Sequence, residues 1–159
     1  MEKKDLYKLE LTIFTIICLI IIGLLYIINV DAIVEGYNSS EWLFYVTLIE
    51  IFLIICISSM TSYIFHEWFK QEMLYFSDLP FLFGFTFLIL IFGICIDLLF
   101  FLTFFTLGDT MTLILMKARE IMILLTVLPM VYLSLSMFLY DFSLKSKFEK
   151  LKKERRIFE

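Results

Sequence analysis

Four apolar runs, each close to or beyond the width of a bilayer's hydrocarbon core, leave this 159-residue chain little sequence from which to build anything else. A helix rising ~1.5 Å per residue needs about 20 residues to cross ~30 Å of hydrocarbon. The runs are Leu11 to Val30, Trp42 to Phe65, Pro80 to Thr106, and a last one that starts at Met111 or at Ile121 and ends at Tyr140. Apolar residues make up 62% of the chain, against about 45–50% in a soluble domain, so lipid is the solvent its surface suits. The 19 Phe fit that lipid-facing surface and mark no binding box of their own. In lipid the backbone has to satisfy its own hydrogen bonds, and the runs lack the strict alternation of barrel strands. The expected fold is therefore all-α: a polytopic four-transmembrane-helix bundle, with helices near residues 11–30, 42–66, 80–106 and 112–140 in one domain. A basic amphipathic helix over 141–159 follows as a cytoplasmic extension.

The first run is too long for a secretory signal and has no small-residue cleavage pattern behind it, so it is read as a retained helix. Lys3, Lys4 and Lys8 precede it, Lys70 lies between the second and third runs, and Lys145, Lys147, Lys150, Lys152, Lys153, Arg155 and Arg156 follow the fourth. The loop from Asp31 to Glu41 carries no cation. Because cytoplasmic loops collect Lys and Arg, both termini and the middle loop are expected inside, in a multi-pass integral membrane protein. The formal net charge of −4 adds nothing to this, since orientation follows the placement of the cations.

Local chemistry fits these boundaries. Ser77 and Asp78 before Pro80 offer a cap and a preset first turn to the third helix, and Gly108-Asp109-Thr110 suits a tight turn. Trp42, Tyr45, Trp68 and Tyr140 fall near the expected interfaces, where amphipathic rings settle. Pro129 removes the donor for the carbonyl of Leu125 and is expected to kink the fourth helix.

Function is most strongly suggested by charges inside the runs. Glu50 and Asp97 each interrupt a long apolar stretch, and Lys117, Arg119 and Glu120 lie at the head of another. A carboxylate in hydrocarbon costs at least about 2.5 kcal/mol unless something pairs or hydrates it. Counted from the outer ends of their helices, Glu50, Asp97 and Arg119 lie ~12, ~14 and ~12 Å deep, in one layer. Thr47, Glu50, Ile54, Ser58 and Thr61 share one helical face, Thr86, Gly93 and Asp97 another, and Thr112, Arg119 and Thr126 a third. Such faces turn inward, which places Glu50, Asp97 and Arg119 at the bundle's centre with Lys117 and Glu120 close by. Asp97 and Arg119 suit a two-bond fork, and Lys117 and Glu120 are three apart on one helix. One acid is left over, and Glu50 is the candidate to hold a proton, a cation or an amine ligand. Two alternatives stay open: a fourth helix starting at Ile121 would turn Lys117, Arg119 and Glu120 into interface charges, and a charge layer that forms can fix helix register rather than bind a ligand.

Other chemistry lacks its residues. A single His66 cannot supply paired axial haem ligands, and Cys18, Cys56 and Cys95 stand alone in separate runs, without C-x-x-C spacing. No phosphate loop, H-E-x-x-H or G-x-S-x-G occurs, so no catalytic residue, cofactor or metal site is assigned. Voltage sensing needs cations at every third position of the fourth helix, and none follows Arg119 until Lys145. Asn38-Ser39-Ser40 has the form of a glycosylation acceptor on the outer side.

In the tail, Leu144, Phe148, Leu151, Arg155 and Phe158 follow a coiled-coil spacing in phase with Met137, interrupted by Arg155. The tail is expected to join protomers, to lie on anionic lipid headgroups, or simply to hold positive charge inside. The partners expected are membrane lipid and either further copies of the chain or another membrane protein, with no nucleic acid. The preferred reading is a non-catalytic sensor, scaffold or accessory subunit with signalling by relay through the tail. The other is an oligomeric proton- or cation-handling transport or channel element using the intramembrane carboxylates.

Overall fold

A computed structural model describes the backbone of residues 3–39, 41–71, 75 and 78–158, and the side chains of these apart from residues 3, 4, 39, 109, 136 and 139–158. It contains five helices and, among the described residues, no strand: α1 (Lys3–Ile28), α2 (Val30–Ser39), α3 (Trp42–Lys70), α4 (Leu79–Thr103) and α5 (Asp109–Phe158). Three stretches are long and apolar enough to cross a bilayer: Asp5–Ile28, Trp42–Lys70 and Leu79–Thr103.

α4 is the axis of the molecule. It packs chiefly against α3 on one side and α5 on the other, with lighter contact to α1 and α2. Half of its most apolar window is buried, against 6% for the corresponding windows of α1 and α3. A centre held by one helix differs from four equal helices closing around a polar interior. Packing rather than composition sets this, since the apolar window of α1 is at least as hydrophobic as that of α4 and yet stays exposed. The start of α1 meets the end of α3, where the rings of Tyr7 and Trp68 lie 6.4 Å apart, and its end meets the end of α4, where Tyr26 Oη donates to the Cys95 carbonyl at 2.7 Å. α1 and α4 therefore run parallel, and α3 and α5 run against them.

The segment read as a loop, Asp31 to Glu41, is mostly helix α2. Asn29 forms the joint: buried, it donates through Nδ2 to the Leu25 carbonyl at 2.8 Å, while its own carbonyl accepts from Ile33 N–H at 3.0 Å. The end of one helix is thus satisfied while the next begins, with no Pro or Gly to force a longer break. Thr106 then fastens the turn after α4 to α2 by donating to the Ala32 carbonyl at 2.9 Å.

At the opposite end the core is aromatic. Trp68 is fully buried and lies 4.8 Å from Phe81 and 5.0 Å from Phe69, ring centre to ring centre, with Phe65 at 6.4 Å. The sequence reading put Trp68 at the lipid interface; it is instead sealed inside because Asp78 supplies a partner for its indole N–H, accepting at 3.1 Å. The same carboxylate oxygen accepts from the backbone N–H of Tyr75 at 2.9 Å. Asp78 does occupy the N-cap of α4 ahead of Pro80, yet its side chain makes no capping bond, since it is spent on α3 and the connecting segment. Ser77, the other expected cap, lies outside the described residues. Trp42 and Tyr45 remain exposed, as rings at an interface should be.

Replacing Trp68 by Phe keeps most of the apolar packing but takes from Asp78 one of its two donors, leaving the Tyr75 N–H. The expected loss is about 1–2 kcal/mol, the cost of removing one partner from a buried hydrogen bond. Asp78→Ala should cost a similar amount and add little to Trp68→Phe, which a double-mutant cycle read by thermal unfolding in detergent would show.

Candidate functional site

The layer of charges is built from α3, α4 and α5. On α3 the less exposed stripe includes Leu43, Thr47, Glu50, Ile54, Ser58, Thr61, Phe65 and Trp68, with most of the residues between them exposed. Thr47 and Thr61 donate to the carbonyls of Leu43 and Ile57 at 2.8 and 2.7 Å, so their hydroxyls are satisfied within the helix. On α5 the matching stripe contains Thr112, Leu115, Arg119, Met122, Thr126 and Pro129. Thr126 donates to the Ile123 carbonyl at 2.6 Å. Gly93 on α4 allows close approach of α5: a Cβ there would touch Met122 Cβ at 3.7 Å.

Helix α5 begins at Asp109, so Lys117, Arg119 and Glu120 all lie within it rather than in a loop before Ile121. Arg119 crosses to α4, where its Nε stands 2.5 Å from Asp97 Oδ1. The contact is a single ionic one without hydrogen-bond alignment, and both atoms are sealed from the exterior. The two-bond fork expected from the sequence is not formed, and the guanidinium carbon lies 5.9 Å from the ring centres of both Phe100 and Phe101. A planar cation can meet aromatic rings and a carboxylate at once, so the two contacts are compatible.

Lys117 and Glu120 pair with each other at 2.7 Å, three residues apart, on the outward side of α5. Their side chains are 62% and 48% exposed, against 38% for Arg119 and 26% for Asp97. They share the helix but not the interior with Arg119, unlike the compact group of five read from spacing.

Glu50 lies on the half-buried stripe of α3, near enough to Asp97, Cys95 and Tyr26 for their charges to act on one another. Among the described residues it makes no hydrogen bond and no ion pair. Tyr26 was missed in the sequence reading, although a lone hydroxyl ring inside an aliphatic run was a visible signal. Phe100 and Phe101 were not separable from their neighbours, since any of the crowded phenylalanines could have met the arginine.

Two cavities adjoin this layer. One of about 50 Å³ lies beside the Asp97–Arg119 pair, bounded by Gly93, Met122 and Thr126. The other, of about 270 Å³, is lined entirely by apolar surface from Phe14, Cys18, Phe85, Phe92, Leu128 and Pro129, between α1, α4 and α5. No group of three His, Cys, Asp or Glu is placed to hold a metal among the described residues. His66 is exposed, as is Asn38 at the end of α2, and the three cysteines are free thiols. The side chains of Lys145, Lys147, Lys150, Lys152, Lys153, Arg155 and Arg156, with the coiled-coil positions, lie outside those described; the backbone that carries them is helical and continuous with α5.

The chain matches no protein-family model, no curated protein and no solved structure, so the chemistry of these residues is the basis for reading the site.

Proposed function

We propose that this is a non-catalytic integral membrane subunit, a sensor, scaffold or accessory element, that crosses the bilayer four times with both termini in the cytoplasm. The observation that carries the reading is how the intramembrane charges are used. Asp97 and Arg119 join α4 to α5, Lys117 and Glu120 neutralise each other, and the void beside the first pair is about 50 Å³, room for water and not for a substrate. Charges spent on each other fix helix register, which is what a scaffold requires of them.

The fourth crossing is α5. It runs antiparallel to α4, and residues 112–140 supply more than the ~30 Å of helix that the hydrocarbon requires, which keeps Arg119 within the membrane beside Asp97. Lys70 at the end of α3, the lysines before α1 and the basic residues after 140 then share one side, in keeping with the excess of cations in cytoplasmic loops. The basic helix beyond 140 would lie on anionic headgroups or meet a partner there.

Glu50, which lacks a cation, favours the second reading, an oligomeric proton- or cation-handling element. Four helices arranged around one of their own number enclose no pore, so transport would need a ring of copies. Mass determination of the full chain extracted in native lipid separates the two. A single copy, or a complex with a different protein, is expected; a closed ring of identical chains would overturn the accessory reading.

A further inference from the structure

We infer that the apolar cavity between α1, α4 and α5 is a site for one acyl chain of a bilayer phospholipid, held along the helices as part of the protein's packing. The inference rests on α5 being the fourth crossing, as proposed above, and gives that crossing a lipid partner.

The cavity is long and narrow. Its lining runs from Phe85 through Ile89 to Phe92 on α4 and from Met122 to Pro129 on α5, seven residues of rise on each helix, so it is ~10 Å long. The helices that line it are parallel or antiparallel to one another, and its long axis therefore follows them and, in a spanning bundle, the lipid chains as well. Spread over ~10 Å, a volume of about 270 Å³ is a channel about 5–6 Å wide. A helix with its side chains is about 10–12 Å across, so no partner helix enters. A single hydrocarbon chain, whose carbons pack about 3.5–4.0 Å from their neighbours, suits that width.

The cavity also opens on the right solvent. Its floor is buried, with Ile89 4% and Phe92 2% exposed, whereas Phe14 and Leu128 at the rim are 37% and 60% exposed. It is thus a cleft open sideways between α1 and α5, which each lean on α4 and make little contact with each other. In a spanning chain that opening faces lipid. Counted from Leu79 at the start of α4, the lining lies ~9 to ~20 Å along the helix, clear of the headgroups and at the depth of acyl chains.

The all-apolar lining excludes the other small occupant, water, which would find nothing there to bond. An apolar cavity of about 150 Å³ in a soluble protein already stays dry and takes benzene. Between lipid and protein the gain is packing rather than escape from water, so a matched width is what selects the chain.

The test uses the full chain in phosphatidylcholine vesicles that include a small share of phosphatidylcholine with a diazirine at mid-chain. Illumination expels N₂, the carbene inserts into a neighbouring C–H bond, and peptide mass spectrometry locates the adducts. Adducts are expected at Ile89 or Phe92 on the floor, which chains on the outer surface do not reach, as well as at the exposed Ile17 and Leu124. A probe with the diazirine beside the ester should leave the floor unlabelled. Cys18→Phe, which adds a ring to the cavity wall, should abolish the floor adducts and keep those at Leu124. Adducts at Ile17 and Leu124 with none on the floor of the unaltered chain would overturn this inference alone, and that comparison needs no variant to fold. So would a floor labelled equally by the ester-side probe, or floor adducts that persist in Cys18→Phe. Label at Ile17 with none at Leu124 would place α5 outside the bilayer, and the four-crossing reading would fall together with the lipid site.

Discussion

Removing Arg119 is expected to be the most damaging single change of charge in the molecule, and removing Asp97 with it should recover most of the loss. In Arg119→Ala the carboxylates of Asp97 and Glu50 stay within Coulombic range of each other with no cation beside them. An isolated charge at the centre of a membrane helix costs about 2.5–3.5 kcal/mol on insertion scales, and here two of like sign are left together. Asp97→Ala should cost less, because Arg119 keeps its stacking on Phe100 and Phe101. Glu50 is then the acid left on the neighbouring helix. The expected order of stability in detergent is therefore unaltered chain, Asp97→Ala, then Arg119→Ala.

The double variant Asp97→Leu with Arg119→Leu removes both charges and leaves apolar packing, which for buried pairs elsewhere is close to neutral. Its thermal midpoint should lie nearer to the unaltered chain than to either single variant. The exchanged pair, Asp97→Arg with Arg119→Asp, should also recover more than half of the loss. It should not recover all, because a carboxylate at 119 would face the negative faces of two rings that now hold a cation. An exchanged pair no more stable than the worse single variant would show that the contact between α4 and α5 is incidental.

That pairing was legible in the sequence because depth along a helix is a length, and lengths survive the loss of all other information. Counting residues placed Asp97 and Arg119 at one level, and the spacing of Thr47, Glu50, Ile54, Ser58 and Thr61 picked out the stripe of α3 that is turned inward. Azimuth was harder. Lys117 and Glu120 share the level of Arg119 but lie on the outward side of α5, and only packing decides which side is out. The central position of α4 was also hidden, since in a membrane protein an all-round apolar helix suits lipid as well as protein. Trp68 and Asp78 illustrate a third limit. Each was read from its local role, as an interfacial ring and as a helix cap, whereas they serve each other across ten positions of chain. The segment 31–41 misled because its charge and its single Gly resemble a loop, while its backbone has what a helix needs.

That single Gly supplies the second large effect. Gly36 lies in the interior of α2, where helix propensity alone favours Ala over Gly by about 0.5–1 kcal/mol. The site reverses the sign. A Cβ on Gly36 would run into the carbonyl oxygen of Leu102, a backbone atom of α4 that cannot swing aside as a side-chain tip could. Gly36→Ala is therefore expected to destabilise the protein by about 1–3 kcal/mol, the usual cost of forcing atoms into a filled space. The loss should be local in its structure: α2 lifts from α4, the bond from Thr106 to the Ala32 carbonyl is lost, and amide exchange rises through residues 30–39 before it rises elsewhere. Gly23→Ala is the matched control, because nothing lies within 4 Å of a Cβ at that place on α1, and it should leave the thermal midpoint unchanged or raise it. Should both substitutions raise the midpoint alike, α2 would not be seated on α4. The end of the bundle that α2 covers would then lack the clamp that holds α1 and α4 together beyond Tyr26.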